Sequence, residues 1–356
     1  MKDRSILAIV PARSGSKSVV DKNIRPIDGK PMLSYSIAHA KQSDYIGRVI
    51  LSTDSEKYAE IGKEYGAEVP FLRPAEYATD LSLDFDVFYH ALTWLREHED
   101  YVPELVVQLR PTYPIRKVKD IDNMIERMLA DPSIDSMRCI APATEVSHKM
   151  WLLGEDSAHD LSDAAKGFTP EAGKAVPIRP LLTDIPEAYN MPRQQLPKVY
   201  YQNACIDVIR SRVILKEHSM SGKKIEGYVM SENYDIDTEA EFARAEERLR
   251  ILNGGKRFVF DIDGVIAGFR KGLDYDSAPP NTPMINVINK LYEMGNEIIL
   301  HTARGYVTGI DWSEVTKKQM QDWGVKYHEL HFGKPNADYY VDDKSLDMQR
   351  LLDYFS

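Results

Sequence analysis

Short apolar runs alternate along the chain with longer segments in which apolar residues recur every three or four positions. The short runs are typical of buried strands, and the longer segments are typical of amphipathic helices. The predicted strands are residues 6–11, 49–52, 105–109 and 138–141, and the predicted helices are residues 31–41, 56–65, 84–98 and 120–129. This alternation predicts an α/β fold with a doubly wound, mostly parallel sheet.

The alternation stops at residues 154–198, a proline-rich stretch with little apolar pattern. A segment of this length without regular structure is usually a functional flap or an oligomer arm. Regular patterning resumes at 199–208 and ends in a charged helix predicted at 238–252.

Asn253-Gly254-Gly255 then supplies a helix stop and a hinge. A second α/β series follows, with strands predicted at 258–262, 297–301 and 339–341 and helices at 284–294 and 313–323. We therefore expect two doubly wound, mostly parallel-sheet domains, residues 1–254 and residues 255–356.

Composition and charge narrow the class of protein. With 43% hydrophobic and 28% charged residues the chain is typical of a globular protein, and its net charge of −10 gives no reason to expect a nucleic-acid partner. No stretch approaches the ~20 apolar residues of a membrane span, and the apolar run at 6–10 is shorter than the about 7–15 residues of a signal peptide. Cys139 and Cys205 each lie in an apolar run, which favours buried free thiols in a reducing compartment. We expect a cytoplasmic protein that binds neither nucleic acid nor membrane.

The loop after the first strand is rich in small and basic residues, from Arg13-Ser14-Gly15-Ser16-Lys17 to Lys22-Asn23. Small residues let backbone N–H groups approach phosphate oxygens, and the basic side chains add positive charge. The spacing does not fit the Walker pattern. The loop favours a phosphate site, and a basic surface turn is the alternative.

The tripeptide Asp-Ile-Asp occurs three times, at 120–122, 235–237 and 261–263. In an extended chain, residues i and i+2 face the same side, so two carboxylates so placed can share a hard cation such as Mg²⁺. The first copy opens an amphipathic run behind Lys117 and Lys119, which predicts that it caps the start of a helix and has no chemical role. The other two copies are candidate metal sites, and a helix N-cap cluster ahead of Thr238 is the alternative for the second.

A series of motifs between residues 5 and 250 resembles the acylneuraminate cytidylyltransferases, the CMP-sugar-acid synthetases. The motifs are residues 9–17, Lys22-Asn23, Gly29-Lys30-Pro31, Leu51-Ser52-Thr53-Asp54, Arg73-Pro74-Ala75-Glu76, Arg110-Pro111-Thr112-Tyr113-Pro114-Ile115-Arg116, Pro192-Arg193-Gln194-Gln195-Leu196-Pro197 and Asp235-Ile236-Asp237-Thr238. The resemblance implies a Rossmann-like nucleotidyltransferase that transfers CMP from CTP and releases pyrophosphate.

The resemblance also implies the site residues. The nucleotide-binding set would be Arg13, Ser14, Gly15, Ser16, Lys17, Lys22, Asn23 and Arg73, with Arg13 and Lys17 catalytic, and the acceptor-binding set would be Arg110, Lys149, Arg193, Asn203 and Asp207. Asp235 and Asp237 match the family's Mg²⁺ pair. The metal would offset negative charge on the α-phosphate and on the leaving pyrophosphate.

Three departures from the sialic-acid-activating members concern the acceptor. Arg110 stands where those members have Gln, Asp207 stands where they have Tyr, and Asp84 replaces a small hydroxyl residue. An added arginine can hold a carboxylate or a phosphate bidentately. The acceptor is therefore expected to be a sugar acid or a sugar phosphate, and the second would give a CDP product.

Residues 256–356 carry four motifs in the order of haloacid-dehalogenase-like phosphatases. They are Phe258-Val259-Phe260-Asp261-Ile262-Asp263-Gly264, Leu300-His301-Thr302-Ala303-Arg304, Gly333-Lys334-Pro335 and Tyr339-Tyr340-Val341-Asp342-Asp343. The resemblance implies that Asp261 is the nucleophile, Asp263 the general acid and base, and that Thr302 and Lys334 hold the phosphoryl oxygens. Asp261, the Asp263 carbonyl and Asp342 would bind Mg²⁺. The short segment before residue 284 implies a capless domain.

These resemblances favour a bifunctional enzyme of surface-glycan precursor synthesis. It would act on CTP and a sugar acid, hydrolyse a sugar phosphate through an aspartyl-phosphate, require Mg²⁺ and form a homo-oligomer, a dimer or a tetramer. Two alternatives stay open: formation of a CDP-sugar or CDP-polyol from a phosphorylated acceptor, and an active synthetase with a non-catalytic C-terminal assembly module.

Overall fold

The computed structural model describes residues 5–16, 19, 21–153, 178–230, 235–268, 275–335, 337 and 345–355. It divides into two compact units, one comprising Met1–Ser14 and Ser36–Asp235 and the other Gly15–Tyr35 and Ile236–Ser356. Within the described residues, no helix has the length and apolar character needed to cross a membrane.

The strands and helices are numbered in chain order. The strands are β1 (Ile6–Pro11), β2 (Pro26–Ile27), β3 (Lys30–Pro31), β4 (Arg48–Ser52), β5 (Leu105–Gln108), β6 (Ser136–Pro142), β7 (Trp151–Leu153), β8 (Ile178–Pro180), β9 (Tyr200–Arg210), β10 (Ile225–Val229), β11 (Arg257–Phe260), β12 (Glu297–Thr302) and β13 (Glu329–Phe332). The helices are α1 (Met32–Gln42), α2 (Glu56–Glu64), α3 (Asp84–Glu99), α4 (Val118–Ala130), α5 (Ser211–Glu217), α6 (Glu239–Leu252), α7 (Thr282–Glu293), α8 (Ser313–Asp322) and α9 (Met348–Asp353).

The first unit is built on a six-stranded sheet in the order β10-β6-β9-β5-β1-β4. The pairs β1–β4, β1–β5 and β10–β6 are parallel, whereas β9 runs antiparallel to both β5 and β6. The sheet is therefore mixed and mostly parallel, which confirms the predicted α/β class with a mostly parallel sheet, whereas the antiparallel strand β9 was not predicted. The strands of its centre are almost fully buried, as their continuous apolar runs predicted.

Helix α3 contributes the apolar face that closes one core of this unit. Phe88, Leu92 and Leu95 recur at helical spacing and pack with Leu7 and Val106 of the sheet. Their complete or near-complete burial removes apolar surface from water, which stabilises the folded state by about 25 cal/mol for each Å² buried.

Strand β8 lies in the proline-rich segment and pairs antiparallel with β7, which directly precedes that segment. Residues 154–177 of the predicted flap or arm lie outside the described residues. The remainder contains two short 3₁₀ turns, Ala188–Asn190 and Arg193–Gln195.

The second unit has a three-stranded parallel sheet in the order β11-β12-β13. Helix α7 covers it, because Ile285, Ile288 and Leu291 pack in one cluster with Ile298 and Leu300 of β12. Strand β13 was not predicted from the apolar pattern, since three of its four residues are exposed. The strand predicted at 339–341 lies outside the described residues.

Helix α6 belongs to the second unit together with the hairpin β2–β3. Arg248 of α6 donates a 2.7 Å hydrogen bond to the carbonyl of Tyr354, and the Tyr354 hydroxyl donates to Glu247 at 2.6 Å. The compact unit therefore begins before the glycine hinge. A functional division into residues 1–254 and 255–356 stays a prediction.

Candidate functional sites

Three neighbouring parallel strands of the first unit, β4, β1 and β5, end at one edge of the sheet. The residues that follow them are Asp54, Arg13 and Arg110. Ligands of open α/β sheets bind at the carboxyl ends of the strands. This edge is therefore the candidate anion-binding site of the first unit.

The loop after β1 is fixed by Asp54. Ser14 donates to this carboxylate from its backbone N at 2.8 Å and from its Oγ at 2.6 Å. Burial raises the pKa of Asp54, but the hydrogen bonds from Ser14 outweigh it and bring the pKa below its usual range. Asp54 thus stays a carboxylate that sets the path of the loop, and the sequence motif did not reveal this partnership.

Arg13 points to an aspartate from the segment before α3, with its Nη2 2.6 Å from Asp80 Oδ1. Both side chains are partly exposed, at 32% and 40%. Gly15 and Ser16 follow in the same loop, Gly15 with a positive φ of 74°. Lys17, predicted to be catalytic, lies outside the described residues.

Arg73 is buried behind this loop. It donates to Ser52 through Nη2, 2.5 Å from the carbonyl, and through Nε, 3.2 Å from Oγ. Burial lowers the pKa of Arg73 to about 10. These contacts brace the end of β4, so the arginine supports the edge in addition to any contact with a nucleotide.

Arg110 forms an ion pair with Asp84, the first residue of α3. The backbone beneath it is rigid, because the Arg110 carbonyl accepts from Ser36 Oγ at 2.9 Å and from Arg116 Nη2 at 2.5 Å. Arg116 also donates from Nε to the Cys205 carbonyl at 2.9 Å. The side chain of Arg110 can therefore change partner while its main chain stays fixed.

Asp207, predicted to contact the acceptor, is fully buried in β9 and lies 3.0 Å from Arg138. Burial raises its pKa, and the neighbouring Arg138 and Arg110 act in the opposite direction. Asn203 is also buried, and its Oδ1 accepts from the Cys205 N at 3.2 Å beside Ala204, which has a φ of 57°. This arrangement favours a supporting role for Asp207 beneath Arg110.

Lys149 and Arg193, the other predicted acceptor contacts, are exposed. Lys149 Nζ donates to the Tyr189 carbonyl at 3.2 Å, and Arg193 Nη2 donates to the Thr144 carbonyl at 2.6 Å. Arg193 lines a cavity of about 290 Å³ whose wall includes Val146. The pocket has room for a sugar-sized ligand beside a guanidinium group.

In the second unit, Lys22 is buried and reaches the second Asp-Ile-Asp copy. Its Nζ donates to the Ile236 carbonyl at 2.7 Å and lies 2.9 Å from Asp237 Oδ1. The N-cap of helix α6 is Thr238, which forms a capping box with Glu241, and Asp237 contributes to this cap only its backbone N, which donates to Glu241 Oε2 at 2.9 Å. The N-cap interpretation of the aspartate side chains is therefore wrong. Asn23, predicted to bind nucleotide, is buried in the same short turn as Lys22.

The donor chemistry of the second copy fits Mg²⁺, which prefers carboxylate oxygens and keeps several waters or phosphates as further ligands. Asp237 is 69% exposed, so its carboxylate is accessible to an ion. Among the described residues, no group of three or more His, Cys, Asp or Glu side chains is arranged to hold a metal. A metal here would take its remaining ligands from substrate and water.

The third copy lies at the carboxyl end of β11. Asp261 Oδ2 is 2.6 Å from Lys334 Nζ, and Asp261 Oδ1 accepts from the Ile262 N at 2.8 Å. Lys334 in turn donates its backbone N to the carbonyl of Thr302, the buried last residue of β12. The predicted nucleophile and lysine thus come together at one edge of the small sheet beside the backbone of Thr302, whose hydroxyl accepts from the Arg304 N at 3.1 Å. Asp342, the remaining predicted metal ligand, lies outside the described residues.

Asp263 faces Arg304, a residue to which the sequence motifs gave no role. Arg304 Nη2 is 2.7 Å from Asp263 Oδ1, and its Nε is 3.0 Å from Oδ2. The sequence offered one indication of this role: Arg304 lies two residues after Thr302 and therefore at the same strand end.

The first Asp-Ile-Asp copy has structural partners. Asp120 accepts from the Tyr228 hydroxyl at 2.9 Å, and Asp122 accepts from Ser43 Oγ at 2.5 Å. The helix begins at Val118, so Asp120 lies in the first turn and not at the cap. Its predicted placement at a helix start is confirmed, and the predicted capping contact is wrong.

Known proteins resemble the chain over stretches that cover up to 70% of its length. A family model described as cytidylyltransferase matches residues 7–175. The "Post-translational flagellin modification protein B" of Campylobacter coli is 30% identical over 70% of this chain and 96% of its own length. The "CMP-N,N'-diacetyllegionaminic acid synthase" of Campylobacter jejuni is 30% identical over 70% and 96% of the two chains. The "N-acylneuraminate cytidylyltransferase" of Escherichia coli is 38% identical over 39% of this chain and 31% of its own.

The chain belongs to the cytidylyltransferase family. The resemblance to acylneuraminate cytidylyltransferases is thereby confirmed for the N-terminal part. The resemblance of residues 256–356 to haloacid-dehalogenase-like phosphatases stays a prediction.

Proposed function

We propose that the chain transfers CMP from CTP to a nonulosonic sugar acid and releases pyrophosphate, a step in the synthesis of surface glycans or of glycans on flagellin. The observation that carries this proposal is the 30% identity to the legionaminic acid synthase of Campylobacter jejuni over 96% of that relative. The sheet edge with Arg13, Arg73 and Arg110 supports it, because each arginine is positioned near the strand ends where anionic ligands bind.

The proposed nucleotide-binding residues divide by chemistry. The glycine and serines at 14–16 offer backbone N–H groups to phosphate, and Arg13, Lys17 and Lys22 supply positive charge. Asp235 and Asp237 would hold Mg²⁺, which neutralises charge on the phosphates when it is bound. The acceptor's hydroxyl oxygen attacks the α-phosphorus and gives its proton to solvent, the bond from the α-phosphorus to the bridging β-phosphate oxygen breaks, and pyrophosphate leaves with those electrons.

The proposed acceptor residues are Arg110, Arg193 and Lys149, with Asn203 and Asp207 as supports. Arg110 is the best candidate for the acceptor's anionic group, because its guanidinium is about one-third exposed above a fixed backbone. Asp84 holds this guanidinium in the ligand-free protein. An anionic acceptor must therefore displace or share Asp84.

A second activity is favoured by the arrangement of the second unit. We propose that Asp261 attacks the phosphorus of a sugar phosphate, so that the ester P–O bond breaks and the alcohol oxygen takes a proton from Asp263. Water then attacks the aspartyl-phosphate, Asp263 removes its proton, and phosphate leaves Asp261. The observation behind this step is the close approach of Lys334 to Asp261, which places a phosphate-binding cation beside the nucleophile.

The first activity is tested by incubating the protein with CTP, Mg²⁺ and a panel of sugar acids and sugar phosphates, and by measuring pyrophosphate and product mass. We expect pyrophosphate release and a CMP product with a nonulosonic acid. A CDP product with a sugar phosphate would instead support the alternative acceptor class. The expected homo-oligomer, a dimer or a tetramer, is part of the proposal and is checked by light scattering.

A further inference from the structure

Arg304 is the most firmly held charged side chain at the edge of the small sheet. Its side chain is completely buried, and it contacts both carboxylate oxygens of Asp263. Three donor–acceptor contacts join the two groups, at 3.1, 3.0 and 2.7 Å. A planar guanidinium that engages both oxygens fixes the orientation of a carboxylate, which a lysine cannot do.

The guanidinium is itself anchored on α8. Arg304 Nη1 donates to Thr316 Oγ1 at 3.1 Å and to Gln319 Oε1 at 2.6 Å, and both partners are buried. Gln319 is tied in turn to the Tyr275 carbonyl at 2.6 Å. The guanidinium also lies 4.7 Å from the centre of the Tyr275 ring. Moving Arg304 would leave the buried side chains of Thr316 and Gln319 without this partner, which opposes such a movement.

Asp263 keeps an accessible side despite this contact. Its side chain is 29% exposed, and Oδ2 accepts one hydrogen bond from Arg304, whereas Oδ1 accepts two. Since each carboxylate oxygen has two lone-pair sites, Oδ2 retains a site for a further hydrogen bond on the accessible side. The turn that carries Asp263 is also closed, because Ile266 and Ala267 donate to the Ile262 carbonyl at 2.9 and 2.8 Å.

The contrast with Asp261 indicates what Arg304 does. Lys334, which lies 2.6 Å from Asp261, is partly exposed and has a flexible stem, so it can move onto a phosphoryl oxygen and release the nucleophile. Arg304 has no such freedom. One aspartate thus has an exchangeable cation, and the other has a fixed one.

We propose that Arg304 is a positioning residue that holds the Asp263 carboxyl group in the orientation needed to give its proton to the leaving alcohol oxygen and later to take one from water. This inference rests on the proposed phosphatase activity and adds a residue to it. A purely structural arginine would tie α8 to the strand end and would affect all phosphate esters alike.

The test compares leaving groups in the full-length protein. A sugar phosphate needs protonation of its alkoxide, whereas 2,4-dinitrophenyl phosphate does not, and general acid catalysis contributes about 10²- to 10⁴-fold. Arg304→Lys should lower kcat for the sugar phosphate by about 10²-fold or more and for the dinitrophenyl ester less than about tenfold. Thr316→Val removes one anchor of Arg304 without touching Asp263. It should lower kcat for the sugar phosphate more than for the dinitrophenyl ester, by a smaller factor than Arg304→Lys. This variant replaces Arg304→Lys in the test if the lysine variant does not fold.

The outcomes separate the two proposals. If the wild-type protein hydrolyses neither ester, the phosphatase function fails and the role of Arg304 fails with it. If the wild-type protein is active but both variants lose the two activities equally, or lose neither, only the role of Arg304 is overturned.

Discussion

Ion pairs lie at the carboxyl edges of both sheets, but the group proposed to act is the cation in the first unit and the carboxylate in the second. In the first unit, arginines suited to bind anions are paired with aspartates: Arg13 with Asp80 from the segment before α3, and Arg110 with Asp84, the first residue of α3. In the second unit, the aspartates proposed to react are paired with cations, Asp261 with Lys334 and Asp263 with Arg304.

Because the anion-binding arginines and the reactive aspartates are both held in ion pairs, a ligand must replace a different partner in each unit. An anionic ligand in the first unit competes with a protein carboxylate, so removing that carboxylate should improve binding. In the proposed phosphatase reaction, a phosphate ester in the second unit would recruit the cation that holds the nucleophile, so removing that cation should strongly lower turnover. The same kind of ion pair therefore predicts opposite effects of mutation in the two regions.

The largest expected effect concerns the buried pair beneath the first edge. Asp207→Ala leaves the nearly buried Arg138 without its carboxylate, and breaking a buried pair costs about 3–5 kcal/mol. We expect a loss of this size in the free energy of unfolding by urea denaturation. Asp207→Asn should lose less, because an amide can still accept from Arg138. Equal stability of the alanine variant and wild type would show that the pair does not support the sheet.

Lys334→Met should lower phosphatase kcat by about 10²- to 10³-fold, because it removes a cation that stabilises the phosphoryl oxygens. The measurement is phosphate release from a sugar phosphate. Lys326→Met is the matched control, since Lys326 forms an exposed pair with Glu293 at 2.7 Å and should leave kcat unchanged. Full activity of the Lys334 variant would remove this lysine from the proposed mechanism.

Asp84→Asn should have the smallest effect, and in the opposite direction. Exposed ion pairs contribute about 0.2–1 kcal/mol, so freeing Arg110 should lower KM for the sugar acid by about two- to fivefold with little change in kcat. Asp86→Asn, which changes the same first helical turn, controls for the helix dipole. A rise in KM would mean that Asp84 orients Arg110 for the acceptor and does not compete with it.

Much of the fold could be predicted because its central elements are local patterns. The buried strands β1, β4, β5 and β6 are apolar runs, and α3 and α4 are amphipathic at helical spacing. The antiparallel β9 between β5 and β6 could not be predicted, since strand order depends on tertiary pairing. Strand β13 was missed because its side chains are mostly exposed.

The candidate sites show the same limit. Motifs singled out Arg13, Arg110 and Asp261 after apolar strands, whereas Lys334 follows the mostly exposed β13 and was singled out by the family resemblance alone. Their partners could not be derived from local patterns, since the arginines and aspartates meet only in the fold: Arg13 and Asp80 are 67 residues apart, and Arg304 and Asp263 are 41 apart.

We propose that the chain carries two chemistries in separate sites, and variants at each site, measured in both reactions, distinguish them. Pyrophosphate release from CTP and a nonulosonic acid, and phosphate release from a sugar phosphate, are measured for Asp237→Ala and Asp261→Asn, with Asp120→Asn as the control from the structural copy. We predict that Asp237→Ala loses only pyrophosphate release, Asp261→Asn loses only phosphate release, and Asp120→Asn retains both. Loss of both activities in either of the first two variants, or absence of phosphate release in the wild-type protein, would contradict the claim.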